Sequence, residues 1–110
     1  MKKKKGFVYL ICDNKNDVFK IGVTKKPIDK RIKELQTGNS TELFVSKYHE
    51  SDYPYTIETM LHNHFKIDNI LNEWFELSID NITNFNDICN EMEMRIESLK
   101  ENPFFKKLLK

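Results

Sequence analysis

Two apolar runs separated by a short polar cluster constrain the fold of this chain most strongly. Residues 6–12 and 17–23 are both rich in the β-branched and aromatic residues that favour strands, and residues 13–16 between them (Asp-Asn-Lys-Asn) are typical of a turn. The segment therefore predicts a β-hairpin. An even-length loop centred on Asn14 and Lys15 places Tyr9 directly opposite Lys20, with both side chains on one face, whereas a one-residue bulge would break that pairing.

The remaining elements follow from turn signals and helical periodicity. Pro27 and Gly38 frame a first helix, and Pro54 opens a second that runs to about residue 66. Strands are predicted at residues 42–48 and 72–77, and a long helix at residues 84–100, with apolar residues on one face. The predicted order is β-β-α-β-α-β-α. We expect an α+β fold with a small, mainly antiparallel sheet flanked by helices.

Length, hydropathy and cysteine usage exclude several protein classes. A chain of 110 residues has room for one domain, and none of its apolar runs approaches the roughly 18 residues of a membrane span. Cys12 and Cys89 lack neighbouring ligands at metal-binding spacing, so we expect reduced core thiols in an intracellular protein, with a disulfide as the alternative. Zinc fingers, secreted disulfide scaffolds and membrane proteins are excluded on these grounds.

The charge of the chain is unevenly distributed along the sequence. Residues 1–50 carry 12 Lys and Arg against 6 Asp and Glu, whereas residues 51–110 carry 6 against 11. The basic half offers a nucleic-acid footprint, and the alternative is that the two halves interleave in space and their fields cancel.

A small set of residues has the chemistry of a site. Arg31 lies on the inward stripe of the first helix, where an anion, either a carboxylate such as Glu58 or a phosphate, would satisfy it. Glu58 and His62, four residues apart on the second helix, could share one Mg²⁺ or Mn²⁺, or Glu58 is simply an exposed helical residue. A lysine close to Tyr9 would lower the pKa of its phenol and suit it to act as a general base, and the alternative is an ordinary cross-strand pair. His64 is expected in the core.

These residues resemble the GIY-YIG endonuclease superfamily. The resemblance rests on Val8-Tyr9, on Lys20-Ile21-Gly22 in the second strand, on Arg31 in the following helix and on Glu58 in the next. A closer resemblance is to a compact phage, viral and bacterial branch that is described as DNA-binding and is related to the meiotically up-regulated gene 113 family. It rests on four segments: Phe19 to Thr24, Arg31 through the segment Leu35 to Gly38, Glu58 to His62, and Glu73-Trp74-Phe75. The resemblance covers about residues 6–78.

The resemblance implies metal-dependent cleavage of a phosphodiester bond. It assigns Tyr9 as the group that accepts a proton from the attacking water, Arg31 as the group that stabilises phosphate charge, and Glu58 as the ligand of one Mg²⁺ or Mn²⁺. Lys20 stands where the superfamily has a second tyrosine and is expected to orient the water, to act on Tyr9 or to bind phosphate. Phe7 replaces the first glycine, and Leu35 stands where a histidine or tyrosine is frequent. Asn69 and Asn72 are the candidates for a late asparagine.

Three functions are compatible with this pattern. The first is a DNA endonuclease acting through Tyr9, Lys20, Arg31 and Glu58. The second is a non-cleaving DNA-binding module that uses the lysines of the basic half, and the third is a protein-interaction domain that uses the acidic C-terminal helix.

Neither a membrane nor a small-molecule cofactor is expected. The predicted organisation is a flexible basic segment (1–5), a GIY-YIG-like domain (6–78), and a C-terminal helix with a basic tail (79–110). The phosphate-binding lysines are expected to be Lys2 to Lys5, Lys25, Lys26, Lys30 and Lys33.

Overall fold

A computed structural model describes residues 4–101. Its strands are β1 (Gly6–Asp13), β2 (Val18–Thr24), β3 (Leu43–Ser51), β4 (Asn69–Leu71) and β5 (Trp74–Phe75). Its helices are α1 (Ile28–Thr37), α2 (Pro54–His64), α3 (Ile79–Thr83) and α4 (Phe85–Lys100), with a 3₁₀ turn at Lys66–Asp68. The strands form one antiparallel sheet in the order β3-β1-β2-β5-β4. The predicted α+β architecture is confirmed.

The first hairpin forms where the sequence predicts it, but its predicted register is wrong. Asp13 pairs with Val18, so that Tyr9 lies opposite Gly22 and Lys20 lies opposite Ile11. The turn is centred one residue later than expected because Asp17 adopts a positive φ of 55° and the Asp13 carboxylate accepts the N–H groups of Lys15 and Asn16. Tyr9 and Lys20 stay on one face as diagonal neighbours, because the shift is even and side chains alternate.

Two apolar clusters cover the two faces of the sheet. On one face, α2 packs against β1 and β2, and α4 packs against α2 and β3, through fully buried residues that include Val8, Ile57 and Phe85. On the other face, Tyr9, Ile11 and Leu43 are buried beneath the apolar stripe of α1, which comprises Ile28, Ile32 and Leu35. β1 is therefore buried on both sides, and the long run of apolar residues from Val8 to Ile11 follows from this central position.

The C-terminal half differs in detail from its prediction. The single strand predicted at residues 72–77 is a short β4–β5 hairpin, in which Asn72 has a positive φ of 53° and Asn69 donates hydrogen bonds to the carbonyl oxygens of Asn72 and Trp74. Both candidates for a late asparagine thus lie in this hairpin, Asn69 at the start of β4 and Asn72 in the turn. His64, expected in the core, is exposed at the end of α2. Among residues 4–101, none of the helices has the length and apolarity of a membrane span.

Candidate active site

Three consecutive residues of β2 each contact a different residue of the candidate site. The Lys20 ammonium donates a hydrogen bond to Glu73 Oε2 at 2.6 Å, and the Ile21 carbonyl oxygen lies 3.0 Å from His62 Nε2. Gly22 lies beneath the Tyr9 ring, where a Cβ would come within 2.5 Å of Tyr9 Cζ. The Lys-Ile-Gly segment therefore links residues from β1, from α2 and from the β4–β5 turn.

Tyr9 and Arg31 form the first part of the site. Tyr9 is 1% exposed, and a hydrogen bond with its hydroxyl group is the main cause of the raised pKa of Arg31. Glu34, whose carboxylate lies 3.3 Å from Arg31 Nη1, raises this pKa further, whereas burial lowers it. Arg31 Nε is buried and has no hydrogen-bond partner within residues 4–101. A buried donor without an acceptor is costly, whereas the side chain as a whole is 34% exposed and can offer its terminal nitrogens to a phosphate.

Glu58, His62 and Glu73 form the second part. One potential ligand atom from each of these side chains lies within 4.8 Å of the others. Because a carbonyl oxygen only accepts hydrogen bonds, the contact with Ile21 requires a hydrogen on His62 Nε2, and in the neutral ring this leaves the lone pair on Nδ1. Two carboxylates and one imidazole are a donor set that suits Mn²⁺ and, less closely, the more oxygen-selective Mg²⁺.

The electrostatics of this second part follow from its partial burial. Burial raises the pKa of Glu58 most strongly, and the neighbouring Glu73 raises it further through its charge and a hydrogen bond, whereas His62 and Lys20 act in the opposite direction. Two carboxylates held this close repel each other when both are ionised. A divalent cation would relieve that repulsion, so the residues fit such an ion.

The structure changes one expectation about Lys20 and adds one residue to the site. The predicted Tyr9–Lys20 pair is wrong: Lys20 lies opposite Ile11, and its ammonium contacts Glu73 and lies 5.5 Å from the centre of the Trp74 ring. Sequence reasoning did not propose Glu73 as a ligand. The available signal was its place in the Glu-Trp-Phe motif, but sequence gives no distance between that motif and Glu58.

The predicted phosphate-binding lysines differ in their surroundings. Lys30 and Lys33 are exposed on α1, and the Lys26 ammonium contacts Glu34 at 2.5 Å. Lys25 is exposed at the end of β2, 5.9 Å from the centre of the Tyr55 ring. Lys4 and Lys5 are exposed, whereas Lys2 and Lys3 lie outside the described residues.

Comparison with the profiles of known protein families gives a match over most of the chain. The profile described as the T5orf172 domain matches residues 6–93, which are 88 of the 110 residues and include every residue of the candidate site. The chain belongs to the T5orf172 domain family. This domain is linked to nuclease-type phage proteins, and membership indicates a nuclease-like DNA-binding module. Comparisons with curated proteins and with solved structures gave no match.

Proposed function

We propose that this T5orf172 domain protein is a divalent-metal-dependent endonuclease of the GIY-YIG type that hydrolyses DNA phosphodiester bonds. The observation that carries the proposal is the arrangement around β2, where Gly22 supports Tyr9, Ile21 binds His62 and Lys20 binds Glu73. This arrangement gathers a phenol, a guanidinium with an unsatisfied donor and a three-residue ligand set at one strand, which is what metal-assisted phosphoryl transfer requires.

Each side chain has a distinct role in the proposed reaction. Tyr9 accepts a proton from the attacking water, directly or through a second water molecule, and its fully buried ring keeps the hydroxyl in one position. Arg31, whose side chain is 34% exposed, donates to the scissile phosphate through its terminal nitrogens as negative charge develops.

Glu58, Glu73 and His62 would hold one Mn²⁺ or Mg²⁺. A bound divalent cation supplies Lewis-acid stabilisation of phosphate and leaving-group charge. Lys20 keeps a positive charge beside the ligand set, and its ion pair with Glu73 competes with a bound cation for that carboxylate. This contact with Glu73 takes the place of the pairing with Tyr9 that was expected from the sequence.

The test is nicking of supercoiled plasmid by the full chain, with Mn²⁺ or Mg²⁺ or with a chelator. We expect nicking only with metal, and losses of at least about 100-fold in Tyr9→Phe and Glu58→Gln, because a general base and a metal ligand are removed. Tyr48→Phe and Glu76→Gln are matched controls, since both residues are exposed and neither belongs to the site.

Two results would contradict the proposal. If the protein nicks plasmid in the presence of the chelator, and the Glu58→Gln variant does so as well, the activity is a contaminant or is independent of metal. No nicking in either metal, together with salt-sensitive DNA binding that is indifferent to metal, would assign the non-cleaving module instead.

A further inference from the structure

A cavity at the N-terminal end of α2 lies outside the residues assigned to catalysis. Its volume is about 350 Å³, within the range of small-ligand sites, and it lies where the chain entering β1, the end of β2 and the first turn of α2 meet. The lining residues are Lys5, Lys25, Asp52, Tyr53, Pro54, Tyr55 and Thr56.

The charge of this cavity favours an anion. Lys5 and Lys25 make no ion pair with any residue in the described part of the chain, whereas the only carboxylate of the lining, Asp52, lies 3.7 Å from the Lys4 ammonium. Lys4 therefore compensates Asp52, and the two other ammonium groups remain available. Phosphate is the anion that such lysines bind as point charges.

An aromatic ring stands next to this charge. Tyr55 is 54% exposed, and the Lys25 ammonium lies 5.9 Å from the centre of its ring. A phosphate at Lys25 therefore brings the attached sugar and base against Tyr55. Nucleobases stack on exposed aromatic side chains when they are not already stacked in a duplex.

The cavity is also correctly placed with respect to the ligand set. Tyr55, Glu58 and His62 follow one another along one stripe of α2, and Tyr55 precedes Glu58 by three residues. This separation is about 4.5 Å along the helix axis, comparable with the rise of about 3.4 Å per nucleotide in a DNA strand. A strand whose scissile phosphate lies at Glu58 thus reaches Tyr55 with the adjacent nucleotide.

We infer that this cavity binds one unpaired nucleotide next to the scissile phosphate, with its phosphate on Lys5 and Lys25 and its base stacked on Tyr55. The inference rests on the proposed function for its location, but nucleotide binding itself requires neither the metal nor cleavage. It makes the protein selective for DNA that is single-stranded or unpaired beside the cut.

The test measures fluorescence-anisotropy binding of the full chain, in a chelator, to a labelled single-stranded oligonucleotide and to the duplex of the same sequence. For the single strand, Tyr55→Ala should weaken binding about 5- to 150-fold and Tyr55→Phe should restore it, because stacking needs the ring and not the hydroxyl. Tyr48→Ala is the matched control, since Tyr48 is equally exposed at 54% but lies on β3 and does not line the cavity. Lys25→Gln should make the plot of log binding constant against log salt concentration less steep by about 0.7, because one phosphate contact is lost. Lys15→Gln, in the hairpin turn, should leave this slope unchanged.

Each outcome decides between the inference and its alternatives. Equal losses in Tyr55→Ala and Tyr48→Ala, equal effects of Tyr55→Ala on single strand and duplex, or no binding of the single strand by the wild type would each overturn the nucleotide subsite. Because these measurements are made without metal, they are independent of nicking: metal-dependent nicking without a Tyr55 effect refutes the subsite alone. Circular dichroism melts of all variants test whether the exposed substitutions leave the fold intact.

Discussion

Replacing Gly22 by alanine should destabilise the protein through Tyr9 alone. The new Cβ would come within 2.5 Å of Tyr9 Cζ and 2.7 Å of Cε1, and the ring has no room to retreat because Tyr9 is 1% exposed beneath α1. Overpacking of this kind costs about 1–3 kcal/mol. Alanine is otherwise favoured over glycine in a strand by about 0.5–1 kcal/mol, so the expected net loss lies between about 0 and 2.5 kcal/mol, with a central value of about 1 kcal/mol.

Urea unfolding followed by far-ultraviolet circular dichroism measures this loss, and a double-mutant cycle assigns its cause. In Tyr9→Leu, which lacks the ring atoms above Gly22, the added cost of Gly22→Ala should disappear, giving a coupling energy of about 1–3 kcal/mol. Gly38→Ala is the control, because no atom lies within 4 Å of the position that its new methyl group would occupy and its φ of −93° suits alanine; its stability should be unchanged or rise by up to about 1 kcal/mol. A Gly22→Ala variant as stable as Gly38→Ala, or an equal cost with and without the Tyr9 ring, would refute the proposed close contact.

Three further predictions concern the titratable groups. Because burial raises the pKa of Glu58, the folded state binds the carboxyl proton more tightly than the unfolded state does. The free energy of unfolding should therefore fall as the pH rises from 4.5, the ordinary pKa of a glutamate, through the raised pKa of Glu58. Glu58→Gln should remove this fall in metal-free urea titrations, and an unchanged pH profile would contradict the assigned burial. Lys20→Met should bind Mn²⁺ more tightly than the wild type, by up to about tenfold, because Glu73 loses a competing cation; calorimetry showing weaker binding would mean that Lys20 supports the ligand set. Burial raises the pKa of Cys89 to about 12, so a thiol reagent at pH 8 should modify the partly exposed Cys12 first and reach Cys89 only on unfolding, and rapid native-state modification of Cys89 would contradict this.

The faces of the elements were more predictable from sequence than their registers. Side-chain alternation placed Tyr9 and Lys20 on one face of the hairpin, and this part of the prediction is confirmed despite the two-residue shift in pairing. The register depended on the positive φ of Asp17 and on the hydrogen bonds of Asp13, and an aspartate-rich turn admits several centres with similar local preference. Local sequence therefore determined the face but not the partner.

The candidate site shows the same division between local and long-range information. Helical spacing placed Glu58 and His62 on one stripe of α2, since both lie on one regular element. Glu73 could not be added to them from spacing, because its approach depends on β5 pairing with β2 at Lys20 and Trp74. The environment of Lys20 follows from that same pairing, and a contact between residues 53 positions apart has no local signature in the sequence.

The dual use of α2 couples the site to the core of the protein. Ile57 and Leu61 on its inner face are fully buried against β1 and β2, and the stripe of Tyr55, Glu58 and His62 lies beside them on the same three turns. A helix held by core packing keeps its side chains within the narrow tolerance that a ligand set requires. The hydrogen bond from His62 to the Ile21 carbonyl oxygen connects α2 to β2 a second time. β2 is also the strand that carries Lys20 and whose Gly22 lies beneath the Tyr9 ring. The geometry of the ligand set therefore depends on how closely α2 packs against β2, because that packing sets the positions of Glu58 and His62 relative to Glu73.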